Sequence, residues 1–376
     1  MRAIEFSEQP LRLADLDAVA RGDAAIVVAA RITERLHAMR DIVLRLASSA
    51  QPIYGLNSAL GANTGKPFAA SSGGESLVDY QLNAVRARSV GVGAPFPADV
   101  VREGYRANLS PFDPRMQAAR PAAGQFEAAQ RLTALLENSG LSQPGAARRV
   151  QDPLSFRCLA QVHGAARACW NEAGAQVETE LNSAADSPLV LDTGEMLSNG
   201  NFHVPALAIA LEALGLGLAQ CAALCVERAL KQLSPALSGL PLQLTRHGPS
   251  HSGFATVQKT LTALLNRIRH LANPACLDFL PVSEMIEDHA CMTLNVVDKT
   301  LAMVEPLLYL AAIEALIGAQ AVDLREPSRR TSLGRGADRL YTALRTEIPM
   351  LDGDRPLGPD IEAAARLLRE LTKGTA

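Results

Sequence analysis

Apolar residues recur every three or four positions through most of the chain, a spacing that predicts helices rather than strands. Ile32, Leu36, Met39, Ile42, Val43 and Leu46 form one such stripe over 32–46. Similar patterns predict helices over 76–92, 98–109, 125–136 and 161–175. The stretch 204–224 is almost wholly apolar, interrupted by Glu212 and Gln220, and reads as a helix buried on most sides of a bundle. Ser283, with Glu287 close behind it, resembles a helix start with acids in the first turn, and helical spacing runs on through 290–322. A last pair of helices surrounds 354–361. Before residue 32 the pattern is mixed, with short apolar pieces at 11–19 and 24–30. Polar loops rich in Gly, Pro or Asn separate the helices, and there is no fixed-period repeat. The expected fold class is therefore all-α, or mainly helical: a long-helix bundle with a small mixed N-terminal part, associating through its apolar faces. In chain order we expect an N-terminal region 1–109, a central helical bundle 110–322 and a C-terminal helical tail 323–376.

Composition narrows the function classes. The 376 residues are 48% hydrophobic, enough for a large core. A net charge of −3 gives no electrostatic case for nucleic acid or an acidic membrane surface. The six cysteines are scattered through apolar helical stretches without a CxxC pair, which suggests neither a zinc site nor a disulfide framework and fits a cytoplasmic protein. The first thirty residues show no secretory pattern, and no charge-free apolar run reaches eighteen residues, so no membrane span is expected. His, Asp and Glu show no convincing metal spacing.

Candidate chemistry concentrates in a few polar stretches. Gln151-Asp152-Pro153 turns into an apolar segment that carries one cation, Arg157. A cation among apolar neighbours needs an anion: a structural carboxylate, or the carboxylate of a substrate, which a bidentate guanidinium suits. The loop 52–65 places Tyr54 and Asn57 among Gly, Asn and Ser residues, and reads either as a plain surface loop or as a functional one. Its glycines lack phosphate-loop spacing. Arg88 lies on the helix predicted over 76–92 and is either a solvated helix residue or a specificity group. His163 and His270 sit inside helical stretches and read as core or surface residues, His203 ends a polar turn, and His289 lies in the stretch read as a helix start.

Taken together, Tyr54-Gly55-Leu56-Asn57, Gln151-Asp152-Pro153 with Ser155 and Arg157-Cys158, Glu180-Leu181-Asn182-Ser183, Gly200-Asn201-Phe202-His203, Ser252-Gly253-Phe254, Glu287-Asp288-His289, Asp323-Leu324-Arg325 and Asp354-Arg355-Pro356 resemble the aromatic amino acid ammonia-lyase family, and most of all histidine ammonia-lyases. The resemblance spreads over most of the chain. It implies the ammonia-lyase/fumarase type of helical bundle, a homotetramer, and active sites built from more than one subunit. It implies that Tyr54 is the catalytic tyrosine, that Glu287 is catalytic, and that Arg157 holds the carboxylate of an amino-acid-like substrate. Asn57, Gln151, Phe202 and Arg88 would line the pocket.

The departures bear on mechanism. The family's electrophile, a methylidene-imidazolone, forms from an internal Ala-Ser-Gly, and this chain contains no Ala-Ser-Gly. The segment that carries the triad belongs between Leu109 and Ser110, where the chain passes from an early family region to a much later one. Leu154 stands where the family has tyrosine, Ile286 where it has glutamine, and His251 where it has asparagine. Ala87-Arg88 replaces the pair that tunes the substrate side chain. No cofactor is therefore expected. The leading expectation is a lyase that eliminates an amine without the electrophile. The alternatives are a non-catalytic scaffold or partner subunit of a full-length ammonia-lyase, and a shortened form of an ordinary one.

Overall fold

The computed structural model describes residues 2–6, 12–48, 56–57, 82, 86, 123–140, 152–325 and 332–373. The helices predicted over 76–92 and 98–109 fall mostly or wholly outside these residues, as do Tyr54, Arg88 and Gln151. The chain forms two compact units, each discontinuous in sequence: Met1–Tyr105, Gly174–Ala208 and Cys276–Thr293 in one, and Arg106–Ala173, Ile209–Ala275 and Leu294–Ala376 in the other.

The first unit contains the mixed elements. Strands β1 (Arg2–Phe6) and β2 (Ala24–Val28) pair in parallel, with Ile4 opposite Ile26, and helix α1 (Leu13–Ala20) connects them. Ile4 and Ala24 are buried in this ribbon. Helix α2 (Ala30–Ala47) covers the stripe read from the sequence, one or two residues longer at each end. Asn57 Nδ2 donates to Leu46 O at 3.4 Å, at the end of α2. A two-residue antiparallel pair, β3 (Leu189–Val190) with β4 (Met196–Leu197), follows the polar turn of 180–188.

Among the described residues, the regular elements of the second unit are all helical. Helices α3 (Ala123–Leu135), α4 (Leu159–Leu181), α5 (Pro205–Gln232), α6 (Val257–Leu271), α7 (Thr293–Ala302), α8 (Val304–Asp323), α9 (Arg335–Glu347) and α10 (Gly358–Lys373) succeed one another, α4, α5 and α7 having their first or last residues in the other unit. Its core is built on α8, which packs against α6, α9 and α10 through Leu310, Ile313, Leu316 and Ile317. α5 and the stretch Thr293–Asp323 are each long and apolar enough to cross a membrane by length and composition. We read both as core helices, because α5 contributes Ala222, Val226 and Ala229 to the buried cluster and carries ion-paired charges inside it.

Two features depart from the expected pattern. The helical stretch 290–322 is two helices, parted at Met303. Pro306 has no N–H to give to the carbonyl four residues before it, so the ladder is interrupted there. The helix start read at Ser283 is not one. Val282 and Glu287 form an isolated antiparallel bridge, and Ser283, Glu284 and Met285 have φ of +54°, +57° and +66°. Left-handed residues cannot continue a right-handed helix. The acids and apolar residues of 282–288 do resemble a helix opening, but Met285 and Ile286 are 79% and 60% exposed, so no core docks the stripe that a helix would present.

Gln320 shows how the loops are held to α8. Its amide, 1% exposed, donates to Leu244 O (3.1 Å) and Leu351 O (2.9 Å), and its oxygen accepts from Leu351 N (3.0 Å). Gln320→Leu keeps the volume and orphans three buried backbone groups. We expect a loss of about 2 kcal/mol, read as a lower urea midpoint at unchanged slope.

Candidate active site

Pro153 opens a single helical turn, Leu154–Arg157, in which Phe156 N and Arg157 N donate to Pro153 O. The turn points Ser155 inward and leaves Leu154 and Arg157 exposed. Among the described residues no carboxylate pairs with Arg157, so its charge is not taken up by a structural ion pair there. The part-buried cation of this region is a residue that the sequence reading passed over, Arg228 on α5. It grips Glu314 of α8 through Nε–Oε1 (2.5 Å) and Nη2–Oε2 (2.8 Å), and its Nη1 donates to Ser155 O (3.4 Å). The available signal was Glu314, a lone carboxylate inside an otherwise apolar helical run.

Three more groups crowd this pair. Cys221 Sγ lies 3.4 Å from His163 Nδ1, and Cys225 Sγ donates to Leu310 O at 3.3 Å. Burial pushes the Cys221 thiol up to about 12, against the pull of Arg228. Burial, followed by the Glu314 carboxylate, also holds Cys225 well above the usual thiol range. Both thiols are therefore protonated near neutrality and poor nucleophiles. His163 is held down to about 4, first by burial and then by Arg228, with Glu314 opposing. The folded state thus binds this proton more weakly than the unfolded chain does. The associated stability is complete above about pH 6.5 and is lost as the pH falls toward 4, up to about 3 kcal/mol. His163→Gln should flatten the fall in urea midpoint between pH 7 and pH 4.5 relative to the parent chain.

In the first unit, two sequence motifs that lie far apart in the chain meet. The turn 199–203 is tied down by Asn199 Nδ2 donating to Asp186 O (2.8 Å), Asn201 N donating to Asn199 Oδ1 (2.8 Å) and His203 N donating to Gly200 O (2.9 Å). The turn 282–287 is closed by its bridge and by Ser283 Oγ donating to Glu287 Oε1 (3.1 Å). The rings of His203 and His289 touch across the two turns, with Nε2 and Nδ1 2.6 Å apart. Phe202 and Glu287, both expected in the pocket, are thereby brought to neighbouring turns of one unit, each exposed. Three consecutive non-glycine residues with positive φ mark 283–285 as a strained segment, a feature common at functional sites.

Other family-like motifs serve the framework. The Asp354 carboxylate accepts from Ser252 N (2.7 Å) and Gly253 N (2.9 Å), and these bonds hold it below the usual carboxylate range. Gly253, at φ +52°, has no room for a Cβ, which would lie 2.5 Å from Gln243 O. Asp323 accepts from Tyr341 Oη (2.6 Å) and Arg345 Nε (2.8 Å). Arg355 donates to Asp360 and to Pro349 O and Met350 O. No group of three or more His, Cys, Asp or Glu residues fit to hold a metal occurs among the described residues. The sequence contains no Ala-Ser-Gly, the three residues from which the family's methylidene-imidazolone forms.

The chain is similar to known proteins in sequence and in fold. The sequence pattern of the family described as aromatic amino acid lyase matches residues 11–104 and 102–346, in two pieces that meet at 102–104. Histidine ammonia-lyase of Anaeromyxobacter dehalogenans (strain 2CP-C) is 40% identical over 293 residues, 77% of this chain and 57% of that protein. The Symbiobacterium thermophilum histidine ammonia-lyase is 38% identical over 276 residues, 73% of this chain and 54% of its own length. The chain thus spans a little over half the length of these relatives. Among solved structures, ergothionase of Treponema denticola, an ergothioneine-degrading enzyme in complex with desmethyl-ergothioneine sulfonic acid, superposes with a TM-score of 0.86 at 22% identity over 99% of both chains. Trypanosoma cruzi histidine ammonia-lyase superposes with a TM-score of 0.79 at 21% identity, over 98% of this chain and 94% of that one. At such identities the likeness shows the fold. With the family pattern covering most of its length and histidine ammonia-lyases near 40% identity, the chain belongs to the aromatic amino acid lyase family.

Proposed function

We propose that this chain is a carbon–nitrogen lyase that eliminates an amine from an amino-acid-like substrate without a methylidene-imidazolone. The observation that carries the reading is the presence of Tyr54, Arg157 and Glu287 in a chain that has no Ala-Ser-Gly. An ammonium group on an amino acid leaves poorly and its β-proton is weakly acidic, which is the difficulty an electrophile addresses. A quaternary ammonium does not share it, since it departs as a neutral tertiary amine carrying the electrons of the C–N bond. A base takes the β-proton, the Cα–Cβ double bond forms, and the amine leaves. The product is an α,β-unsaturated carboxylate. Tyr54 is the base in this scheme, Arg157 clamps the carboxylate, and Glu287 assists proton transfer. Asn57, Gln151 and Phe202 line the pocket, and Arg88 meets a polar or anionic group on the substrate side chain. The substrate class is a betaine-type amino acid such as N-trimethylated histidine. The structural likeness to an ergothioneine-degrading enzyme supports that class.

The experiment is an amine-release assay on the purified chain. Histidine, tyrosine, phenylalanine, aspartate and N-trimethylated histidine are offered, and ammonia and alkylamines are both read by mass spectrometry. Trimethylamine release supports the reading. Ammonia from histidine alone sinks the electrophile-free mechanism.

We place the enzyme in the cytoplasm as a homotetramer. The six cysteines form no disulfide, which fits a reducing compartment. Apolar side chains left exposed on α5, Ile209 and Leu216, and on the segment 277–286, Leu277, Leu280 and Met285, are surfaces for further copies. The same exposed surfaces favour a second reading, a non-catalytic partner of a full-length ammonia-lyase. A stable mixed oligomer on co-expression, with no amine release by the chain alone, decides for it.

A further inference from the structure

We infer that His203 and His289 form a hydrogen-bonded imidazole pair that holds the turn bearing Phe202 against the turn bearing Glu287, and that both are positioning residues. What they position rests on the proposed function. The pair itself does not.

The geometry is that of a bond rather than of two neighbouring surface rings. Nε2 of His203 and Nδ1 of His289 are 2.6 Å apart, and the ring planes meet at 60° with centroids 4.8 Å apart. The contact lies within a row of four rings. Phe202 sets its edge to His203 at 5.7 Å, and Phe279 packs on His289 at 5.5 Å. Two neutral imidazoles can share one proton only if one donates and the other accepts. His203 donating from Nε2 to His289 Nδ1 leaves both rings in the Nε2–H tautomer, the one that neutral imidazole side chains prefer. The opposite direction puts both in the less favoured form. No other side-chain hydrogen bond reaches either ring among the described residues.

Each ring is set by its own backbone. Three hydrogen bonds hold the turn 199–203, and the Val282–Glu287 bridge holds the other turn two residues before His289. The second turn has reason to need a tether. Ser283, Glu284 and Met285 are all left-handed, a conformation that is costly for non-glycine residues and persists only where the surroundings enforce it. The ring pair clamps the chain immediately past Glu287, and the Ser283 hydroxyl holds the Glu287 carboxylate from within the turn. Loss of either ring therefore frees both turns.

Hydrogen–deuterium exchange of the full chain tests this, read on peptides covering 198–204 and 279–290. His203→Leu is expected to speed exchange at least tenfold in both peptides, including the one it does not belong to, and His289→Leu to do the same. The double variant adds less than twofold. His203→Gln, which keeps an N–H at the Nε2 position, and His289→Asn, which keeps an acceptor at the Nδ1 position, should each restore both peptides to within threefold of the parent. In the amine-release assay His203→Leu should lower kcat at least tenfold with KM within threefold, and His203→Gln should recover it. His203→Leu leaving 279–290 unchanged overturns the pair, and so does additive behaviour of the double variant. Coupled exchange with unaltered kcat overturns the positioning role. If the parent chain releases no amine from any substrate, the proposed reaction fails, and the cross-peptide exchange still decides whether the pair holds the two turns.

Discussion

Replacing Tyr54 by phenylalanine should lower kcat for amine release by roughly 10²–10⁴-fold with little change in KM, the range that a positioned acid or base supplies. Tyr54→Phe removes one oxygen and nearly nothing else, so substrate still docks while the β-proton keeps no acceptor. The comparison variant is Arg157→Met, and its expected signature differs. A bidentate charge-assisted clamp acts on the substrate carboxylate before and during the elimination, so its loss raises KM as well as lowering kcat/KM, by about tenfold for each 1.4 kcal/mol withdrawn. Arg157→Lys restores the charge without the planar fork and should recover only part of the affinity. The contrast between the two profiles is what the assignment predicts. Steady-state kinetics on the trimethylated substrate checks it. Unchanged turnover in Tyr54→Phe would move the base to another group, with Glu287 the first to examine.

The largest stability effect is expected from Glu212→Ala, about 3–5 kcal/mol. Glu212 on α5 and Lys299 on α7 form an ion pair whose side chains are only 9% and 11% exposed. Glu212 Oε1 also accepts from Ala275 N at 2.7 Å, and Lys299 Nζ donates to Leu271 O at 3.2 Å. The pair therefore joins α5, the end of α6 with the segment after it, and α7. Alanine leaves an ammonium inside the bundle with its anion gone and a backbone N–H without its acceptor. Most of the cost is that stranded charge rather than the attraction between the two groups. Glu212→Leu combined with Lys299→Met should consequently recover more than half of the loss. Urea unfolding of the parent, Glu212→Ala and the double variant measures this. A loss under about 1 kcal/mol in Glu212→Ala would mean that water reaches Lys299 and replaces its partner.

Helix existence was legible wherever a stripe had a core to face. The stripe 32–46 became α2, and the apolar run from 204 became α5, extended to Gln232 because Arg228 and its neighbours remain within the packed bundle. The same reasoning failed at Ser283, where acids and apolar residues at helical spacing formed a bridged, left-handed turn. Periodicity reports that a face exists, not that anything covers it. At Arg157 the sequence showed a cation among apolar neighbours but not its partner. A single helical turn places Arg157 outward, and the cation that meets Glu314 is Arg228.

By itself the sequence determined the helical class, the family, and the missing Ala-Ser-Gly, because these depend on local order and residue identity. Tertiary structure alone decided that Arg228 meets Glu314, that Glu212 meets Lys299, and that His203 touches His289. Each of these partners is separated by more than eighty residues, and no local pattern encodes such a distance. Burial makes an unpaired charge or polar group costly, so the packed chain settles on the partners that remove that cost, and only the folded arrangement shows which they are.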